Sequence, residues 1–299
     1  PRPMVRWILA GVFLASACGF QATPADPGLD PAPDPAPDPV DDPAPPAPPP
    51  PVTEDGGEIV FVGTADEDPG TGDMTIDKPV TIDTSAMTVS GARLPAGVTF
   101  AAGAQEAGGP ELAILHVHTL HVHADLRATG SRPLVVVSDS FELTQVIDVS
   151  AHGAEGGPGS LSSAAAAPAT GLVGGAPGTS SGLLGACAGV QTGAGGGALE
   201  VYAATRITIS GNIDADGGTI SNVLCNGVTA PNPGGAGGMI VLQAPDVSVS
   251  GRLSAKGGEG HSTLTVLGTD PGPPGRILLY YQRQGEAPAA DPPATLKRY

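Results

Sequence analysis

The histidines are the first residues in this chain whose spacing suggests chemistry. The segment LHVHTLHVH, residues 115–123, contains four of the six histidines in a chain of 299 residues. Neutral imidazole is a common ligand of zinc, so a cluster of this density raises metal binding as a hypothesis. Whether the four side chains can meet at one ion depends on the strands that carry them.

Apolar and polar residues alternate through this segment. We expect Leu120 and Val122 to point inward, which places His121 and His123 on the outer face, about 7 Å apart. A similar segment follows 21 residues later and sets Glu142 beside His121. The competing interpretation is a row of cross-strand polar pairs without an ion. The candidate zinc ligands are His121, His123, Glu142 and His118.

Aspartates form a second candidate site if the repeated segments stack about 4.8 Å apart. The stacked columns contain the charged residues Arg127, Asp148, Asp214, Asp216 and Lys256. Asp148 and Asp214 would be neighbours, as in a calcium site or in the acid–base pair of a polysaccharide hydrolase. The alternative is a surface charge ladder that pairs Arg127 with Asp148 and Lys256 with Asp216. We favour the ladder because the complementary charges fall in neighbouring units.

The segments that carry these residues repeat. TQVIDVSAHGAEGG at 144–157, SGNIDADGG at 210–218 and SGRLSAKGGEG at 250–260 share one pattern, and two other short apolar strands precede each of them. Leu126 and Ile147 are 21 residues apart, which is close to one coil of a parallel β-helix. The extra residues all follow the last strand of a unit. We therefore predict an all-β, right-handed parallel β-helix over residues 111–285, with glycine-rich loops inserted at one corner.

The flanking segments differ from this body. Residues 58–110 have weaker alternation and are interpreted as irregular N-terminal coils or a cap, and residues 286–299 as a C-terminal tail. Residues 23–52 are rich in proline and aspartate and contain no Lys or Arg. Such a segment cannot bury apolar surface and favours extended polyproline II, so residues 18–57 are predicted to be a disordered tether.

The start of the chain predicts export. An apolar run at residues 7–15 follows Arg6 and is too short to span a bilayer as a helix. Residues 1–17 are therefore predicted to be a signal peptide. The residues LASAC resemble the lipobox of bacterial lipoproteins, which implies a lipid on Cys18. The resemblance also implies that the protein is extracytoplasmic and membrane-anchored, at the outer membrane or cell surface.

The body resembles the glycine-rich, β-helical surface proteins of myxobacteria and related bacteria. The resemblance rests on ATGSRPLVVVS at 128–138, IDVSAHGAEGGPG at 147–159 and GGAGGMIVLQAPDVSVSGRLSAKGGEG at 234–260. It implies a fold and a cell-surface location, and it implies no activity.

The inserted loops carry little chemistry. No charged residue and no histidine lies between Gly156 and Leu199. The glycine runs lack a Walker lysine, so nucleotide binding is not expected. Cys187 and Cys225 are an even pair in an oxidising compartment once Cys18 carries lipid, and we predict a disulfide between them.

Composition narrows the function classes. A net charge of −17 argues against nucleic acid, and a 3% aromatic content leaves few platforms for sugar stacking. We therefore expect a non-enzymatic surface protein that contacts a cell-surface polymer or protein and needs no cofactor. The alternatives are a carbohydrate-binding or polysaccharide-degrading β-helix, and extracytoplasmic metal binding through the histidines. The possible ions are zinc at the histidines and calcium at the aspartates.

Overall fold

The fold is all-β throughout the part of the chain that can be described. The computed structural model describes residues 68–105, 109–162, 171–178, 192–220, 224–225, 228–229, 233–260, 271–285 and 288–299. These residues form strands and connecting segments without a helix, and accordingly no membrane-spanning helix is found among them. The predicted all-β class is confirmed.

Two sheets contain most of the strands. The first sheet has eleven strands: β1 (Met74–Ile76), β4 (Thr99–Gly103), β5 (Leu112–His116), β6 (Thr119–Val122), β8 (Leu134–Leu143), β10 (Ala198–Ile209), β14 (Met239–Gln243), β15 (Asp246–Val249), β17 (Arg276–Tyr281), β18 (Arg283–Gln284) and β20 (Thr295–Arg298). The second has seven: β2 (Val80–Asp83), β3 (Thr88–Ser90), β7 (Leu126–Thr129), β9 (Val146–Asp148), β11 (Asn212–Asp214), β16 (Arg252–Ser254) and β19 (Ala289–Asp291). A separate hairpin pairs β12 (Leu224–Cys225) with β13 (Val228–Thr229).

Pairing within the two sheets is parallel except at the N-terminal end. There, β3 runs antiparallel to β2 and β4 antiparallel to β5. In the second sheet Leu126 lies beside Ile147, Ile147 beside Ile213, and Ile213 beside Leu253. The first of these pairs is the 21-residue spacing seen in the sequence. Inward-pointing apolar residues hold this register, because a slip by one residue would turn them outward.

The main core lies between the two sheets. Side chains of both sheets meet in one cluster, for example Leu199 and Ile207 of β10 with Ile147 of β9 and Ile213 of β11. All four are at most 1% exposed. Aliphatic residues supply almost all of this cluster, and each fully buried one contributes about 1.5–3 kcal/mol of transfer free energy.

The first sheet also buries part of its other face. Leu112, Val135, Val137 and Val241 lie on this face in a second apolar cluster, and the insert residue Leu172 packs with them. Burial on both faces explains the uninterrupted apolar run LVVV at the start of β8. If one face of the sheet were exposed to water here, apolar and polar residues would alternate along the strand.

Glycine-rich segments next to the sheets form a bundle held by backbone hydrogen bonds. Four successive N–H groups, at residues 235–238, donate to the carbonyl oxygens of Gly218, Ala176, Pro273 and Ala215. The donors thus point in different directions, toward three different segments. We call this group of segments the glycine bundle; its members are residues 157–161, 171–178, 192–197, 215–218, 233–238, 255–258 and 271–275.

Close approach of backbones explains the composition of the bundle. A Cβ atom added to Gly196 would lie 2.1 Å from the carbonyl oxygen of Ala215, and one added to Gly238 would lie 1.8 Å from that of Gly197. No side chain fits at these distances. The glycine runs in the sequence are therefore a packing requirement within this part of the fold.

The C-terminal residues extend both sheets. The predicted C-terminal tail at residues 286–299 is wrong, because β19 pairs with β16 and β20 pairs with β17. Apolar alternation is weak here, since β20 is exposed at all four positions. Periodicity therefore did not reveal these two strands.

Candidate functional site

Three of the predicted zinc ligands lie together on the outer face of the first sheet. His121 of β6 lies directly beside Glu142 of β8, and His121 Nδ1 is 2.9 Å from Glu142 Oε2. The rings of His121 and His123 are 5.6 Å apart between centroids. One ligand atom from each of the three residues lies within 4.8 Å of the other two. We call these three residues the His–Glu cluster.

The strand that carries the two histidines is well fixed. Leu120 and Val122 alternate with them and are fully buried in the main core, as expected from the sequence. Residues 120–122 also pair with β1 on one side and β8 on the other. The imidazoles therefore project from a strand with a neighbour on each side.

His118 lies outside the cluster. It is exposed at the corner between β5 and β6, where its backbone N–H donates to Gly72 and its carbonyl oxygen accepts from Asp139. Asp139 lies 21 residues after His118, which is the same spacing that separates Glu142 from His121. Among the described residues, the group of ligand atoms that could share an ion does not include His118, so the four-ligand set predicted from the sequence is reduced to three.

The aspartate columns have the predicted register but different partners. Arg127 lies beside Asp148, and Asp148 beside Asp214. However, Asp148 Oδ2 pairs with His152 at 2.9 Å, and its Oδ1 accepts from the backbone N–H of Ser150. These local bonds turn the carboxylate along its own strand. The predicted Arg127–Asp148 pair is therefore not formed, and Arg127 Nε is buried without a hydrogen-bond partner.

The second predicted pair is also replaced. Asp216 Oδ1 accepts from the backbone N–H of Lys256 and from the hydroxyl of Ser254. The Lys256 ammonium group instead pairs with Asp291 of β19 at 3.1 Å. The prediction of a C-terminal tail at residues 286–299 does not provide this partner, because Asp291 lies in a strand.

Asp214 is held by Arg252, with 3.0 Å between Oδ1 and Nη2. Burial raises the pKa of Asp214, the Arg252 hydrogen bond and charge oppose this effect, and the charges of Asp216 and Asp148 add to it. Among the described residues, these three aspartates do not form a group of ligand atoms close enough to share an ion. The calcium hypothesis for the columns therefore gains no geometric support.

Glu200 is a buried acid that the sequence analysis did not single out. It lies in β10 between Val135 and Val241, is 0% exposed, and neither carboxyl oxygen has a hydrogen-bond partner. Burial raises its pKa to about 7. Alternation with Leu199 and Val201 indicated an outward side chain, but nothing in the pattern indicated that the outer face is covered.

A shallow surface groove lies where β15 meets β18. Its lining includes Arg206, Asp246 and Arg283, and an Arg283–Asp246 ion pair crosses it. The residues that line it include no aromatic side chain. The groove therefore lacks a stacking platform of the kind that sugar-binding sites use.

Comparison with known proteins does not assign the site. Searches against protein-family models, curated proteins and solved structures found no match. The site must therefore be interpreted from its own geometry.

The cysteine predictions stay open. Cys18 and Cys187 lie outside the described residues, and of Cys225 only the backbone, in β12, is described. The lipid on Cys18 and the disulfide between Cys187 and Cys225 remain predictions. The predicted signal peptide and tether at residues 1–57 also lie outside the described part of the chain.

Proposed function

We propose that this chain is a non-enzymatic, lipid-anchored surface protein that presents its glycine-rich inserts to other cell-surface material. In this proposal the body is a right-handed parallel β-helix, related to the glycine-rich surface proteins of myxobacteria that its motifs resemble. The inserts are the contact face, and Cys18 with the acidic tether holds that face away from the membrane.

The order of strand pairing supports a β-helical body. β8, β10, β14 and β17 follow one another in the first sheet, while β9, β11, β16 and β19 follow one another in the second. Each chain segment thus contributes to both sheets and then stacks on the preceding segment. Parallel pairing of successive units in two sheets is what a solenoid of this type requires.

The glycine bundle is the main structural support for a contact role of the inserts. The inserts leave the sheets after β9, β11 and β16, which are neighbours in the second sheet. Their described parts are tied together by backbone hydrogen bonds, such as Ala236 to Ala176 and Gly258 to Gly235. Glycine-rich packing of this kind fixes the described parts of the inserts at little cost in side-chain entropy. It suits a surface that must keep its shape on contact.

The composition of the inserts fits contact better than catalysis. Residues 157–198 contain no Asp, Glu, Lys, Arg or His, and apart from Cys187 they offer hydroxyls, one amide, backbone groups and apolar side chains. General acid–base catalysis needs a titratable group within hydrogen-bond reach of the reacting atoms. A polymer or protein surface could instead pack flat against small residues.

Surface labelling of whole cells tests this function. Wild-type protein should be found in the membrane fraction, carry lipid on its N-terminal cysteine, and be cleaved by protease added outside the cell. Cys18→Ser should release it from the membrane while leaving its thermal unfolding unchanged. Membrane association that survives this substitution would contradict the anchor. Turnover of acidic polysaccharides that is lost in Asp148→Asn or Asp214→Asn would contradict the non-enzymatic role.

A further inference from the structure

We propose that His121, His123 and Glu142 form a binding site for one zinc-class divalent ion on the outer face of the first sheet. This inference goes beyond the structural role proposed above and does not depend on it. The ion would have three protein ligands, two imidazole nitrogens and one carboxylate oxygen. Solvent or a partner group would occupy the remaining position.

The backbone places these ligands on one face. His121 and His123 are two residues apart in β6 and its immediate extension, so both project from the same side of the strand. Glu142 lies beside His121 on β8. The inward neighbours Leu120 and Val122 are 0% exposed. Ligands on paired strands of this kind need little ordering when an ion binds.

The distances are close to those of a coordinated ion. Two ligand atoms on a tetrahedral zinc are about 3.3 Å apart, given bonds of about 2.0–2.1 Å. Here His121 Nδ1 is 2.9 Å from Glu142 Oε2, and the three ligand atoms all lie within 4.8 Å of one another. The His121 and His123 side chains are 37% and 42% exposed, so they can rotate. A rotation would bring the ligand atoms to the separation that a bound zinc ion requires.

Asp77 offers a supporting group beside the cluster. Its Oδ1 lies 3.6 Å from His123 Nδ1, in the segment that follows β1. A carboxylate that accepts a hydrogen bond from one imidazole nitrogen orients the other nitrogen toward a metal. We assign Asp77 this positioning role, and not that of a ligand, because among the described residues it is not part of the group of ligand atoms close enough to share an ion. The 3.6 Å separation would have to shorten by a few tenths of an ångström for the hydrogen bond to form.

The ligand types select the class of ion. Calcium and magnesium prefer oxygen ligands, whereas two imidazoles with one carboxylate suit zinc and its first-row neighbours. The competing interpretation is that His121 and Glu142 form only an ion pair. That interpretation requires no role for His123, and the two are distinguished by whether His123 contributes to binding.

Titration of tag-free, full-length protein with Zn²⁺ tests the proposal by calorimetry. We expect one ion per chain. His121→Gln, His123→Gln and Glu142→Gln should each weaken binding by about 10-fold or more, and Asp77→Asn by a smaller factor. His118→Gln is the matched control, because it removes a neighbouring histidine outside the cluster and should leave affinity unchanged. Far-UV circular dichroism and thermal unfolding establish that each variant is folded.

Cobalt spectroscopy identifies the ligands directly. Co²⁺ bound by nitrogen and oxygen ligands should give visible d–d bands that disappear in His123→Gln and persist in His118→Gln. A sulfur-to-cobalt charge-transfer band would assign the ion to the cysteines and overturn the proposal. Equal loss of affinity in His118→Gln, or the absence of Zn²⁺ binding, would also overturn it.

Discussion

Gln105 and Leu172, which are 67 residues apart, are joined by two hydrogen bonds. The side-chain amide of Gln105 donates to the carbonyl oxygen of Leu172 and accepts from its backbone N–H, both at 2.8 Å. Gln105 thereby satisfies the backbone of an insert residue as a neighbouring strand would. Leu172 is fully buried and packs into the second apolar cluster. This contact holds part of the first insert against the outer face of the first sheet.

Gln105→Ala should loosen this part of the insert. The substitution leaves the buried N–H and C=O of Leu172 without partners, and each unsatisfied group costs about 1–3 kcal/mol. We expect faster amide hydrogen exchange around Leu172 with little change in the strands of the main core. Gln282→Ala, at an exposed position, is the matched control. Unchanged exchange at Leu172 would show that the two hydrogen bonds do not hold the insert.

Glu200 should make stability fall as the pH rises. Its folded-state pKa is about 7, raised by burial from 4.5. A carboxyl whose pKa is raised in the folded state favours folding below its unfolded pKa, and that contribution is lost between pH 4.5 and about 7. The full change is about 3 kcal/mol by linkage.

Glu200→Gln should remove this pH dependence. The variant should match the wild type near pH 4.5 and be more stable than it at pH 8, by up to about 3 kcal/mol in chemical denaturation. Glu259→Gln, an exposed change of the same charge, controls for net charge. A difference between Glu200→Gln and wild type that does not vary with pH would contradict the buried, unpartnered carboxyl.

Gly196→Ala should disrupt the glycine bundle. The new Cβ would lie 2.1 Å from the Ala215 carbonyl oxygen, and backbone on several sides prevents relaxation. Overpacking of this kind costs about 1–3 kcal/mol or more. At Gly285 the nearest atom is the Ser248 hydroxyl at 3.1 Å, so Gly285→Ala should change stability by less than about 0.5 kcal/mol. Equal melting temperatures for the two variants would contradict the close packing.

The sequence predicted the strand register well because alternation has a strong physical cause. Leu120 and Val122 must be buried, and their alignment with the buried Phe141 and Leu143, 21 residues later, places His121 beside Glu142. The partners of Asp148 and Lys256 were not predictable in this way. A local bond from Ser150 and a strand with little apolar character at residues 289–291 determine those partners.

The sequence pattern also does not predict that part of the outer face of the first sheet is covered. The insert residue Leu172 packs against strands far away in the chain, in the second apolar cluster. Glu200 is buried between Val135 and Val241 of that same cluster. The insert has no periodicity that would reveal this contact. The glycine runs suggested a surface for partners, and in the described part they serve first to pack backbone against backbone.

Binding of the tag-free protein to isolated cell-envelope material tests the central claim most directly. The wild type and the His118→Gln surface control should sediment with envelope fractions to the same extent. A variant in which residues 179–186 and 188–191 are replaced by a Gly–Ser sequence of equal length, with Cys187 kept for the predicted disulfide, should lose this binding while its thermal unfolding stays the same. Binding that is undiminished in the linker variant would contradict the proposal that the glycine-rich inserts are the contact face.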